Sequence, residues 1–521
     1  MPAQLASPVP REGGWNQRGC SEKNHRPAPI QPRAVERLRK EHSSGVSPPL
    51  GGGIIGRMTR PSRSAGLAAL LVLILVAGCG SSGPTASSAA STSIASSSAP
   101  SSAASGAPSA LASSSTAASP QPSAAVNCAD ATTEPSFSPT PIGPDDPNAA
   151  LLAKIEGAVQ TIRGITADQS VPRNTLDQAG LCAFLRQSLG RDNPPEVVAA
   201  TEMLYKLLGL MPADASLQTL YLNLLGSQVI GFYDQHSKAM YVISTTGAIG
   251  PVEEITYAHE FDHALQDQKF NLTSIVGEAK DQGDRTLART ALVEGDATLL
   301  MSLWALKNLT PAELITIAGA SDPASQAALD AAPPILKETL MWPYTQGLSL
   351  TQSAYQTSAS FAGVDALWKN PPDTTEQLLH PDKLASREPA VPVAFPADFA
   401  KTLGAGWKVS TQDTLGELQL NILMRTGNPK AGTDPAAGWG GDRVALVEGP
   451  SGATAAVVDT TWDTAKAAGD AFDHLQALVT KLQGAGKHAA VLMPSEKRVV
   501  LVSADSDATL GAVANVLGLA Q

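Results

Sequence analysis

The sequence predicts an α+β protein, with a mainly helical domain that carries a small β-sheet followed by a smaller C-terminal α/β sandwich. Three observations predict it. Apolar residues recur at helical spacing through much of residues 148–306. Two β-rich runs around a polar turn, 228–234 and 239–243, interrupt that pattern. Past about residue 400, strand-like and helix-like runs follow one another in the order ββαββα.

The 521 residues, 43% of them apolar, are enough for two or three domains, but the composition is uneven. Residues 1–57 are Pro/Arg-rich and lack hydrophobic periodicity, and we read them as lying upstream of a start at Met58 or as a disordered basic tail. Residues 58–79 have the layout of an export signal, in which Arg60 and Arg63 precede the uncharged run 65–77, too short for a comfortable membrane span. The ending Val76-Ala77-Gly78-Cys79 resembles the bacterial lipobox. That resemblance implies a lipid on Cys79 holding the chain to the outer face of the membrane. From Gly80 to Ala129 no residue is charged and Ser, Ala, Thr, Gly and Pro dominate, so 80–145 reads as a disordered tether. The helical domain then occupies 146–395 and the C-terminal domain 396–521.

From Cys79 onward 26 basic residues face 44 acidic ones. This balance argues against nucleic acid and against direct binding to anionic headgroups, and suits a solvated extracytoplasmic protein. The cysteines are Cys20, Cys79, Cys128 and Cys182. With Cys20 upstream of the start and Cys79 lipidated, Cys128 and Cys182 remain as an even pair available for a disulfide, the alternative being two unrelated buried thiols.

In chain order, Leu151, Leu152, Ile155, Val159 and Ile162 share one helical stripe, and further helices are expected at 176–189, 195–208 and from Asp214 through Leu224. The runs 228–234 and 239–243 form a hairpin whose turn contains His236, a solvated loop residue. Gly250-Pro251 opens another helix, with Glu253 and Glu254 favourable to its N-terminal dipole and Ile255, Ala258, Ala264 and Leu265 on its buried side.

That helix contains His259-Glu260-Phe261-Asp262-His263. Residues four apart share a helix face, so His259 and His263 can present two imidazoles to one ion. Zinc held this way keeps a position for water, and Glu260 stands ready to take that water's proton during attack on a carbonyl. The reaction implied is amide hydrolysis. A third protein ligand is still required. Glu294, flanked by apolar and small residues on a helix read from about Asp284, is poorly explained as a surface charge, while Gly295 and Ala297 would let that helix approach the motif helix closely.

These residues resemble the gluzincins, thermolysin-like zinc metallopeptidases whose third ligand is a Glu on a following helix. The resemblance covers roughly 215–310. It implies a zincin-like fold for 146–395, a Zn2+ ion on His259, His263 and Glu294, Glu260 as general base, and a peptide or protein substrate paired along the edge of the upstream sheet. The stretch HALQD is similar to the thermolysin pattern and makes Asp267 an orienting residue. Thr298 departs from the pattern, standing where the family has an Asp bonded to a ligand His, so Asp267, Asp296 or a backbone carbonyl are left as candidates to orient His259. The family also uses a Tyr or His to stabilise the oxyanion. The segments 342–347 and 374–381 read as polar, aromatic loops and offer Tyr344 or His380, against the plainer readings of a core tyrosine and a helix-capping histidine.

In the C-terminal part, a helix at 415–423, strands at 444–448 and 455–459, a helix from Trp462 to about Leu482, strands at 489–493 and 499–503 and a final helix complete the ββαββα pattern. Gly438–Arg443 reads as a turn before a strand, and His474 and His488 as surface residues. The sequence thus points to a lipid-anchored zinc metalloendopeptidase. The rivals are a catalytically silent lipoprotein binding module with a structural metal site, and an amidase acting on cell-wall peptides.

Overall fold

The computed structural model of the chain describes residues 128–129, 136–244, 247–276, 281–320, 323–432 and 434–519. The expected leader 1–57, the export signal 58–79 with Cys79, and residues 80–127 and 130–135 of the expected tether 80–145 lie outside these, while the end of that stretch carries the strand Thr140–Pro141. The described fold is mixed α+β with two sheets.

The first long helix, Ala149–Arg163, buries Leu152, Ile155 and Val159, and it ends at Gly164, whose φ of 74° supplies the left-handed cap. Helices Gln178–Asp192, Pro195–Leu207 and Leu217–Gln228 follow. The first sheet contains β1 (Thr140–Pro141), β2 (Arg173–Leu176), β3 (Gly231–Asp234) and β4 (Ala239–Ile243), in the order β1-β2-β4-β3. The hairpin is β3–β4, with β3 at the edge. Neither β1 nor β2 was anticipated, and β2 ends at Leu176, where a helix was expected to begin. It is parallel to β4 and pairs with a strand more than sixty residues away, which no local pattern marks. Cys128 and Cys182 stand at disulfide distance, with Cα atoms 5.0 Å apart.

The motif helix spans Pro251–Phe270 and the ligand helix Gly283–Asn308. The Glu253 carboxylate accepts from the Gly250 N–H at 2.9 Å and so caps the first turn of the motif helix. Both helices rest on a core that includes Leu152, Phe261, Leu265, Leu292, Leu300 and Trp304. A third long helix, Pro334–Ser358, lies along the ligand helix, and two expectations change here. Residues 342–347 are helical and not a loop, with Pro343 inside the helix. Gly295 packs against Gly347 of this third helix: a Cβ on Gly347 would sit 1.9 Å from the Ala291 carbonyl oxygen, and one on Gly295 would sit 2.2 Å from the Gly347 backbone. Thr351 Oγ1 binds the Gly295 carbonyl at 2.8 Å and fixes the crossing. This close backbone packing holds a helix that the proline alone would disfavour. The stretch 374–381 is mostly helical as well, with short helices Thr375–Leu379 and Pro381–Ser386 meeting at His380.

The second sheet contains β5 (Lys408–Asp413), β6 (Trp439–Glu448), β7 (Thr454–Trp462), β8 (His488–Ser495) and β9 (Arg498–Ala504), antiparallel throughout in the order β5-β6-β7-β9-β8. Ala456 and Val458 of β7 face the helix Ala465–Gly484, while Ala455 and Val457 face the helix Asp507–Val516. Helices therefore cover both faces, which explains the unbroken apolar run in β7. The polar edge strand β5 carried no strand pattern and was not anticipated. Of the turn expected at Gly438–Arg443 only Gly438, at φ 82°, remains one, because β6 begins directly after it at Trp439 and takes in 439–443. Leu204 and Leu207 from the helix Pro195–Leu207 share one core with Ile335, Leu418, Trp439 and Leu475, so the C-terminal sandwich is packed onto the rest of the fold. Among the described residues no helix is long and apolar enough to cross a membrane.

Candidate metal centre

One turn of the motif helix separates His259 from His263, so both rings leave the same face, and the ligand helix presents Glu294 opposite them. His259 Nε2 lies 3.0 Å from His263 Nε2, and Glu294 Oε2 lies 3.3 Å from the first and 3.5 Å from the second. Ligands bound at about 2.0–2.1 Å to a tetrahedral ion stand about 3.3–3.4 Å apart, so this triangle fits one metal ion. His259, Glu260 and His263 also form a buried group able to hold a metal. The four side chains are at most 1% exposed.

The three groups of the triad shift one another's protonation. Burial drives the His259 imidazole down to about 4. It works against a proton on His263 too, but the charge and bond of Glu294 carry that ring up to about 10. Burial disfavours the Glu294 carboxylate, yet His263 and His259 hold its pKa below the ordinary value. His263 is thus the protonated partner of Glu294 in the triad, and metal binding there would displace that proton. Glu294 Oε1 is buried without a hydrogen-bond partner among the described residues.

Glu260 is held differently. Its Oε2 accepts from the backbone N–H of Tyr233 on the edge strand β3 at 2.9 Å, while Oε1 has no hydrogen-bond partner among the described residues. Burial pushes this carboxyl up to about 8, with the Glu294 charge adding to the shift and His263 opposing it. One oxygen is anchored and the other is available.

Sequence reasoning missed Gln266. Its Nε2 donates to Asp262 Oδ2 at 2.9 Å and to the Val293 carbonyl at 3.2 Å, so its Oε1 must accept from His263 Nδ1, 3.0 Å away. That turns His263 Nε2 toward the triad. A buried arginine, Arg163, lies behind these helices. It donates to Asp296 Oδ2 at 2.9 Å and Asp365 Oδ1 at 2.8 Å, and Trp368 Nε1 donates to the same Asp296 oxygen at 2.7 Å. A signal did exist, since Asp262, Gln266 and Asp296 are polar residues on otherwise buried helix faces.

The candidates for orienting His259 are occupied elsewhere. Asp267 accepts from Tyr233 Oη and from Lys238 and caps Leu272 N, so it ties the hairpin to the motif helix. Asp296 belongs to the arginine network, and Thr298 Oγ1 has no partner among the described residues. His259 Nδ1 is likewise without a partner there, and the ring instead lies against Tyr344, centroids 6.2 Å apart at 29°. The structure therefore brings His259, Glu260, His263, Glu294 and Tyr344 together. It places His380 in another group, its Nε2 2.8 Å from Glu417 Oε1 and 3.6 Å from Asp434 Oδ2. His380 stands at the junction of two short helices, where its backbone N–H, not its side chain, makes the cap bond.

Residues 403–514 match a family described as a domain of unknown function, DUF8575. No curated protein and no solved structure matches the chain.

Proposed function

We propose that the chain is a zinc-dependent metalloendopeptidase with a zincin-like catalytic region, held outside the cytoplasmic membrane by a lipid on Cys79. The observation that carries this reading is the convergence of His259, His263 and Glu294 beside the partnerless Oε1 of Glu260. A structural site needs three or four ligands but has no use for a poised carboxylate.

Bound zinc would supply a Lewis acid for the carbonyl and a water of lowered pKa. Glu260 takes a proton from the attacking water on Oε1 while Tyr233 N–H keeps Oε2 in place. The water oxygen bonds to the carbonyl carbon, the C–N bond breaks, and Glu260 returns the proton to the departing amine. To Tyr344, whose ring lies against His259, we assign the role of donor to the developing oxyanion. Because Tyr233 of β3 turns its N–H toward Glu260, an extended peptide along that edge would bring its carbonyl to the site.

One observation favours the second reading, a silent binding module with a structural ion: the ligands and Glu260 are almost fully enclosed. Incubation of the chain with a mixed peptide library separates the two. Cleavage that stops on chelation and returns with zinc supports the peptidase, and the products report whether ordinary or cell-wall peptides are cut. Bound zinc with no cleavage of either class supports the structural site.

A further inference from the structure

His380, Glu417 and Asp434 come from separate parts of the chain, yet each offers a ligand atom within 4.8 Å of the others. Glu417, on the helix Gly416–Gly427, is fully buried. Its Oε1 meets His380 Nε2 at 2.8 Å, while its Oε2 has no hydrogen-bond partner among the described residues. Burying a carboxyl oxygen without a partner is costly. Asp434 is held so that one oxygen is left for the cluster: Asn421 Nδ2 donates to Oδ1 at 2.9 Å, and Asn421 is itself steadied by Arg425 Nε at 2.6 Å. Asp434 Oδ2 then lies toward His380, at 3.6 Å. The side chains of His380 and Asp434 are 30% and 29% exposed, so the group opens to solvent at its rim and ends on a buried carboxylate.

We propose that these three residues form a second cation site, distinct from the His259–His263–Glu294 triad, that takes a divalent transition ion of the zinc or manganese class. One imidazole with two carboxylates suits such ions, whereas calcium prefers a larger all-oxygen set. A divalent ion bound there would offset the charges of both carboxylates in their ionised form. The site joins two parts of the fold. Glu417 and Asp434 lie within the stretch matched by DUF8575, and His380 follows a short helix whose Leu378 packs on Ala288 and Ala291 of the ligand helix. The ion is therefore a clasp between the C-terminal sandwich and the helix that carries Glu294, and the inference stands whether or not the triad is catalytic.

The test is metal stoichiometry on the full chain, stripped with a chelator and titrated with Zn2+ alone and with Mn2+ alone, for wild type, His380→Ala, Asp434→Asn and His263→Ala. Two equivalents of zinc are expected in the wild type and one in each variant. The thermal midpoint gained on zinc addition should shrink in His380→Ala and in Asp434→Asn. Asp434→Asn is nearly isosteric and lies at the solvent rim, so it keeps the test valid if His380→Ala misfolds. Zinc content unchanged in both His380→Ala and Asp434→Asn would overturn the second site and leave a His–carboxylate ion pair in its place. Zinc content unchanged in His263→Ala would instead count against the triad, with the second site judged on its own two variants.

Discussion

Gln266 determines which nitrogen of His263 faces the triad, because its own amide orientation is set by Asp262 and by the Val293 carbonyl. Such outer contacts typically change metal affinity by about 10–100-fold. Gln266→Leu should therefore weaken zinc binding by about that factor without unfolding the chain, as measured by competition with a chelating dye; unchanged affinity would remove Gln266 from the account. Tyr344→Phe tests the oxyanion donor: kcat should fall by about 10²-fold with little change in KM, whereas an effect on KM alone would make Tyr344 a packing residue. The histidine pair and Glu260 were legible in the sequence because a four-residue spacing on a helix is a local fact. Gln266 was not, since its role depends on a carbonyl from another helix. The orienting roles considered for Asp267 and Asp296 failed for a similar reason, their partners Tyr233 and Arg163 lying 34 and 133 residues away.

Two glycines set the spacing of the long helices. With Gly295 against Gly347, the ligand helix and the helix bearing Tyr344 approach backbone to backbone, and Glu294 and Tyr344 both reach His259. Gly347→Ala would put a Cβ 1.9 Å from the Ala291 carbonyl oxygen. Overpacking of this kind costs about 1–3 kcal/mol, so thermal denaturation should show a lower midpoint and the zinc affinity should fall with it; a midpoint equal to wild type would show that the helices separate without consequence. Helix periodicity and the hairpin were readable from the residues themselves. The partner of Gly295 was not, because a small residue announces close approach without saying to what, and Pro343 hid a helix that this contact sustains. The edge strand β5 escaped notice because all its residues but Val409 are polar and none is buried.

At the level of the whole molecule, buried carboxylates gather where the ligand helix, the 374–381 segment and the C-terminal sandwich meet. Asp284 accepts from Thr375 N–H and Oγ1, and Asp442 from Leu415 and Gly416 N–H. Burial pushes Asp284 up to about 8, against the lowering effect of the Thr375 bonds, and raises Asp442 and Asp413 to about 6. With folded values above the unfolded one, the folded state holds protons that the unfolded chain releases. Their contribution to stability is therefore full below about pH 4 and declines as pH rises through the folded values. Urea denaturation across pH 5 to 8 should show a shallower loss of stability in Asp284→Asn than in wild type, and parallel curves would contradict the shift. The ββαββα order of the sandwich was legible in its apolar runs, but its docking through a shared core with Leu204 and Ile335 was not, because no local pattern records which surface covers a helix. The central claim is that this frame holds Glu260 beside a metal-binding triad in order to do chemistry. Side-by-side measurement of zinc content and peptide hydrolysis in wild type and Glu260→Gln tests it most directly. The account predicts equal zinc and a kcat lower by at least about 10²-fold in the variant, and hydrolysis equal to wild type at equal zinc would contradict it.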